Sequence, residues 1–369
     1  MVQISKKEEE HVSELLDKIP FVNASDTTTV VPLSLRDYTR QAVDTTMYIE
    51  KLKKGRINIV HIAFLTWPYD FFYPAIKNIA KFYRVLDDYK DDLLLVTSYE
   101  DVKRAVGEGK VGAIMHFHSS TMIDDNIDFL SVLKKLGLRV MQLTYFGRNL
   151  VGDGSMEKPE ISGGLSSFGY KFVEEMNRLH ILVDLAHSGP KTYMDALEFS
   201  TDPVINSHGC VQVLGSRPLS RGLSDEQIHA LAEKGGVMGM MAKHITPREV
   251  GPITLDDFMR HLEYVVNLVG VDYVGIGTEA GEGRTAEDLF ALSREVQARQ
   301  YQPASPQPIT SNRPRDSSDR LKTYTVQGTE TVLTLKRTLL RGLVGRGYSD
   351  QEIAKILSGN FFRIYQKIW

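Results

Sequence analysis

The chain has a single cysteine, Cys210, among 369 residues, so no disulfide can form within it and a cross-linked small-domain scaffold is excluded. It has no excess of one charge: 44 Lys and Arg stand against 47 Asp and Glu, a formal net charge of −3. That balance gives no electrostatic case for nucleic acid or an anionic membrane as partner. No uninterrupted apolar run approaches the roughly 20 residues needed to span a bilayer. The segment MVQISKKEEEHVSELL reads as a charged amphipathic helix without the apolar centre of a signal peptide, so the cytoplasm is the expected compartment. A Gly-rich phosphate turn is also missing, which counts against a doubly wound nucleotide-binding sheet.

What the chain does have is alternation. Short apolar or β-branched runs recur near Phe21 (FVNAS), at Ile57–Thr66, Val111–His118, Arg139–Phe146, Ile181–His187, Pro203–His208, Gly236–Met241 and Tyr273–Glu279. Between them lie helical-period segments such as SSFGYKFVEEMNRLH, SDEQIHALAEKG and TLDDFMRHLEYVVNLVG, several opening on a Ser, Thr or Asp cap and closing near Gly. Eight strands alternating with helices predict an α/β fold, a (β/α)8 TIM-like barrel whose parallel strands are joined by right-handed crossovers. One barrel domain over 1–369 is expected, with an N-terminal helix and a C-terminal helical segment. Residues 297–319 are rich in Pro, Ser, Gln and Arg and predict a flexible loop leaving the face where barrel active sites form.

Histidines gather at the carboxyl ends of these runs. Residues two apart on a strand share a face, so His116 and His118 point one way and Phe117 the other. His187 and His208 each close a further run. A lone histidine ending a strand is ordinarily a hydrogen-bonded core residue; three such strand ends in one sheet point instead to a metal site, for which neutral imidazole is a common ligand. The predicted ligands are His118, His187 and His208, with His116 as a further candidate. His61 and His116 can equally be buried residues satisfied by hydrogen bonds. Asp184 is expected to face away from His187, and His180, His229, His244 and His261 are read as structural or exposed.

The segments VDLAHSG, PVINSHGC with SRGLSDEQIHALAEKGGVMGM, LGLRVMQLTYFGRNLVGDG, GGLSSFGYKFVEEMNRLHILVDLAH and RGYSDQEIAKILSGNFFRIYQKIW resemble the membrane (renal) dipeptidases, peptidase family M19. The resemblance runs from about Val111 to the end of the chain and more loosely before it. It implies a distorted (β/α)8 barrel of the metallo-dependent hydrolase type, a two-zinc centre that hydrolyses dipeptides, and a homodimer. On the matching positions it makes His187 and His208 metal ligands. It makes Arg221, in SRGLSDE, the grip for a substrate carboxylate. It also places Asn149, with Gly152, Asp153 and Gly154, in the family's NxxGDG segment, with Asn149 as a substrate-binding residue.

The departures from the family pattern fall on the site itself. The first-strand Asp-Gly-His-Asn-Asp is here Asn23-Ala24-Ser25-Asp26-Thr27, the bridging Glu aligns with His118, the fourth-strand His with Tyr145 and the eighth-strand Asp with Glu279. Two divalent ions about 3.5 Å apart repel by on the order of 19 kcal/mol at an effective dielectric of about 20, and a bridging anion offsets this. A neutral imidazole at position 118 cannot. One ion is therefore expected, most simply zinc, with iron or manganese acceptable if Glu279 joins the ligands. Three readings follow. A one-metal amide hydrolase would use Glu279 as general base, Tyr145 as oxyanion donor and Arg221 as carboxylate grip on a small amino-acid-derived substrate. A repurposed barrel would run a lyase, cyclisation or oxidation step in a biosynthetic pathway. An inactive homologue would act as a binding protein.

Overall fold

The computed structural model describes residues 4–27, 45–64, 72–215, 222–243, 245–246, 252–279 and 325–369. The segment 297–319 lies outside them. Ten strands occur among the described residues: β1 (Val22–Asp26), β2 (Ile59–Phe64), β3 (Leu93–Leu95), β4 (Val111–Phe117), β5 (Leu138–Gln142), β6 (Leu182–Asp184), β7 (Ile205–Val211), β8 (Gly222–Leu223), β9 (Val237–Met240) and β10 (Val274–Ile276). Eight of them run in the order β1-β2-β4-β5-β6-β7-β9-β10, every pairing parallel. These are the eight runs read from the sequence, and they form a nearly closed (β/α)8 barrel. The sequence reading missed β3 and β8, which pair beside β4 and β7 off the barrel path; at three and two residues they are too short to show a period.

The seam between β10 and β1 is closed by single bonds rather than a ladder. Glu279 N–H donates to Ser25 O at 2.9 Å, and Thr278 N–H to the Asn23 side-chain oxygen at 3.0 Å. Two glycines allow close approach to β7, since a Cβ at Gly277 or Gly239 would lie 1.7 or 2.0 Å from the Ser207 carbonyl oxygen. Helices surround the barrel and start where their caps predict: Ser224 with Gln227 opens Asp225–Glu233, and Thr254 with Asp257 opens Leu255–Val269, each pair forming a reciprocal capping box.

Inside the barrel the side chains fall into layers. Aliphatic residues of the lower layer, among them Val22, Ile59, Ile114, Val140, Leu182 and Ile205, pack against Phe361, Ile364, Tyr365 and Ile368. The last helix, Asn360–Ile368, thus plugs the amino-terminal end, each fully buried aliphatic chain contributing about 1.5–3 kcal/mol. One step higher the inward side chains are polar and still buried: His61, His116, Gln142, Asp184 and Ser207. The carboxyl-terminal mouth lies above them.

Candidate metal centre

The mouth is where the strand pairing becomes irregular. Register slips occur between Asn23 and Asp26 on β1, between Met115 and His116 on β4 and between Asn206 and Gly209 on β7, and such irregularities re-aim side chains next to active sites. Beyond the strand ends, His187 and Glu279 hold left-handed backbones, with φ of 64° and 53°. That conformation costs a non-glycine residue about 1–3 kcal/mol and persists where surrounding contacts impose it. Those contacts are visible: the His187 carbonyl accepts from Ser155 N at 2.7 Å and Thr144 Oγ1 at 3.2 Å, while Glu279 is pinned at the seam through its N–H and through its carbonyl, which accepts from Thr27 Oγ1 at 3.1 Å.

These backbones bring three side chains together. His187, His208 and Glu279 each offer one ligand atom, all within 4.8 Å of one another. Glu279 Oε1 is 3.9 Å from His187 Nε2 and 3.8 Å from His208 Nε2, with both imidazoles fully buried and the carboxylate 12% exposed at the opening. Two imidazoles and a carboxylate are the donor set of one-zinc peptidases, and they also suit iron. The residues therefore fit one divalent ion. Among the described residues no second such group occurs.

His118 is adjacent but outside that group. Its ring lies nearly parallel to that of His208, with centroids 5.4 Å apart and planes 22° apart, and its buried Nε2 has no hydrogen-bond partner. Burial pushes its pKa well below 6.5, and the neighbouring His116 and His208 push it the same way, so this imidazole is neutral and supplies no bridging charge. His116 is engaged one layer lower, its Nε2 2.9 Å from Asp184 Oδ2. Tyr145 lies beside the centre, its ring centroid 4.2 Å from that of His187. Asp26 is buried at the end of β1 and receives the Asn23 amide at 3.4 Å. Arg221 lies outside the described residues.

The loop after β5 is held by its own side-chain hydrogen bonds. Asn149 donates to Ser120 Oγ and Leu143 O, and its Oδ1 accepts from Val151 N and Gly152 N. Two donors and two lone pairs are its whole capacity, so in this structure Asn149 is fully engaged in holding the loop. Asp153 does the same, binding Arg148, Ser162 Oγ and the backbone N–H groups of Gly163 and Gly164. Asp184, expected to face away from His187, bonds Ala186 N and Ser207 N and also points into the barrel beneath the centre. Sequence reasoning gives such a supporting role to Asp184 only the smaller weight, because β6 ends at Asp184 and alternation stops there.

The sequence profile of the membrane dipeptidases, peptidase family M19, matches residues 9–294. Dipeptidase tcpJ of Claviceps purpurea is 29% identical over 206 residues, 56% of this chain and 48% of that protein. Dipeptidase verJ of Clonostachys rogersoniana is 26% identical over 261 residues, 67% and 66%. The chain thus spans about half to two thirds of the length of these relatives. An amidohydrolase from Pseudomonas aeruginosa superposes with a TM-score of 0.81 at 26% identity over 97% of this chain and 99% of that one. A metallopeptidase from Rhodobacter sphaeroides, solved with a phosphinate mimic of the dipeptide L-Ala-D-Ala, shares the fold with a TM-score of 0.72 at 18% identity over 95% and 99%. The barrel is accordingly of the metallo-dependent hydrolase type, and the chain belongs to the membrane dipeptidase family, peptidase family M19.

Proposed function

We propose that this protein hydrolyses an amide or peptide bond in a small, carboxylate-bearing, amino-acid-derived substrate, using one divalent ion, most simply zinc. The observation that carries the reading is the convergence of His187, His208 and Glu279 at the barrel mouth. A bound ion supplies Lewis acidity to the scissile carbonyl and acidifies water. Glu279 would hold the ion with His187 and His208, and its carboxylate would take the proton released as water attacks. The Tyr145 phenol, on the His187 side, donates to the oxyanion. Arg221 grips the substrate carboxylate, the role that the family resemblance gives it, which suits a bidentate guanidinium.

The second reading, a non-peptidase step on the same class of compound, draws on the same donor set, since two imidazoles and one carboxylate also suit Fe(II). Both readings are tested with protein metallated by zinc, manganese or iron and offered dipeptides and N-acyl amino acids, free amine being measured. Release of amine by the zinc or manganese form, lost in Glu279→Gln, supports hydrolysis. No amine from any form that has bound its metal sinks it.

A further inference from the structure

One buried carboxylate lies directly beneath the centre. Asp184 Oδ1 accepts the N–H of Ala186 at 3.1 Å and of Ser207 at 2.8 Å. Its Oδ2 receives the Ser207 hydroxyl at 2.5 Å and lies 2.9 Å from His116 Nε2. Ser207 Oγ is in turn 2.7 Å from His208 Nδ1. The ladder between β6 and β7 is one residue pair, Asp184 with Ile205, and this side chain adds bonds to Ser207 N and Oγ between the strands that lead to His187 and His208.

The direction of the proton chain follows from donor and acceptor counts. Burial alone would raise the Asp184 pKa, but the hydrogen bonds it accepts from His116 and Ser207 outweigh it and hold the carboxyl well below its usual range. An ionised carboxylate only accepts, so Ser207 spends its one proton on Oδ2. The serine oxygen must then accept from His208, which places the imidazole proton on Nδ1 and leaves the lone pair on Nε2, the nitrogen 3.8 Å from Glu279 Oε1. We propose that Asp184 is a positioning residue for the metal centre, acting through the Ser207 hydroxyl to fix His208 in the Nδ1–H tautomer with Nε2 turned toward the ion. This rests on the reading of His208 as a ligand. A carboxylate that orients a ligating histidine usually contacts it directly; here a serine stands between, and the same carboxylate holds His116 in the layer below.

The test combines zinc affinity, by chelator competition, with the imidazole ¹⁵N shifts of His208 in zinc-free protein. The wild type is expected to show the Nδ1–H tautomer. Ser207→Ala should weaken zinc binding roughly 10–100-fold, while Ser207→Thr, which keeps the hydroxyl, restores most of the affinity. Asp184→Asn reverses the chain, because its amide donates to Ser207 and the serine proton turns to His208 Nδ1; the tautomer should invert and zinc binding fall further. Wild-type affinity in a folded Ser207→Ala protein, or an Nε2–H tautomer in the wild type, overturns the inference. His208→Ala separates the two failures: if that variant binds zinc as tightly as the wild type, the metal centre itself has been misassigned.

Discussion

The two ends of the barrel interior are built from opposite chemistry on the same strands. Along β2 the inward side chain changes from Ile59 to His61, along β4 from Ile114 to His116, on β5 from Val140 to Gln142, on β6 from Leu182 to Asp184, and on β7 from Ile205 to Ser207. In every case the change takes one inward step, two residues of chain. Below that level the interior is sealed by an apolar helix and needs no partner beyond contact. Above it, each buried polar group must be hydrogen-bonded or bind a ligand, because leaving it unpaired costs about 1–3 kcal/mol. The boundary between a stabilising core and a chemical site is therefore one layer thick.

The largest effects should come from the mouth, and they sort its histidines. His187→Ala and His208→Ala are each expected to abolish binding of about one ion per chain, exceeding the roughly 10–100-fold loss typical for removing a supporting partner. His118→Ala should retain the ion, since His118 is not among the three side chains whose ligand atoms converge. Elemental analysis of the three purified variants reads this directly. Loss of metal from the His118 variant would show that the mouth holds three imidazole ligands.

That distinction between histidines was only partly legible in the sequence. His187 and His208 stood out because each closes an apolar run, and the barrel rule places such ends on the functional face. Glu279 emerged from alignment with an acidic family position, while its proximity to both imidazoles needed the left-handed turn after β10. His116 and His118 look alike in sequence, two residues apart on one face; only the layer each occupies separates a partner of Asp184 from a ring beside His208. The eight barrel strands were readable from their apolar runs. The saturated bonding of Asn149 was not, because a loop's hydrogen bonds follow from its path and not from its composition.

A histidine outside the mouth gives the next effect and shows what complete satisfaction of a buried imidazole does. His261 bonds Ile245 O through Nε2 at 2.8 Å and accepts Val211 N–H on Nδ1 at 3.0 Å, so a second proton has no place to go. Burial, the leading cause, lowers its pKa to about 4. With the folded value depressed below the unfolded 6.5, its contribution to stability is fully present above pH 6.5 and is lost as pH falls through about 4. The shift corresponds to about 3 kcal/mol. Urea titrations of zinc-free wild type and His261→Gln at pH 7 and pH 4.5 isolate this term: the wild type should lose about 2–3 kcal/mol more than the variant on acidification. Equal losses would mean that the imidazole is free to protonate in the folded state.

The smallest effect probes the boundary between the two ends. His61 belongs to the polar layer, yet its Nε2 meets the hydroxyl of Tyr365, a residue of the apolar plug, at 2.5 Å, and its ring lies edge-on to His116 with centroids 5.4 Å apart. Tyr365→Phe removes the hydroxyl, leaves the ring packing against Phe361 and Trp369, and strands one imidazole nitrogen. A cost of about 1–3 kcal/mol in urea denaturation is expected. Zinc affinity should not change, because Ser207 and Asp184, which lie between this contact and His208, keep all their hydrogen bonds. If zinc affinity did fall with Tyr365→Phe, the buried histidines would form one coupled column from the plug to the mouth, and the helix that seals the barrel would also tune its metal centre.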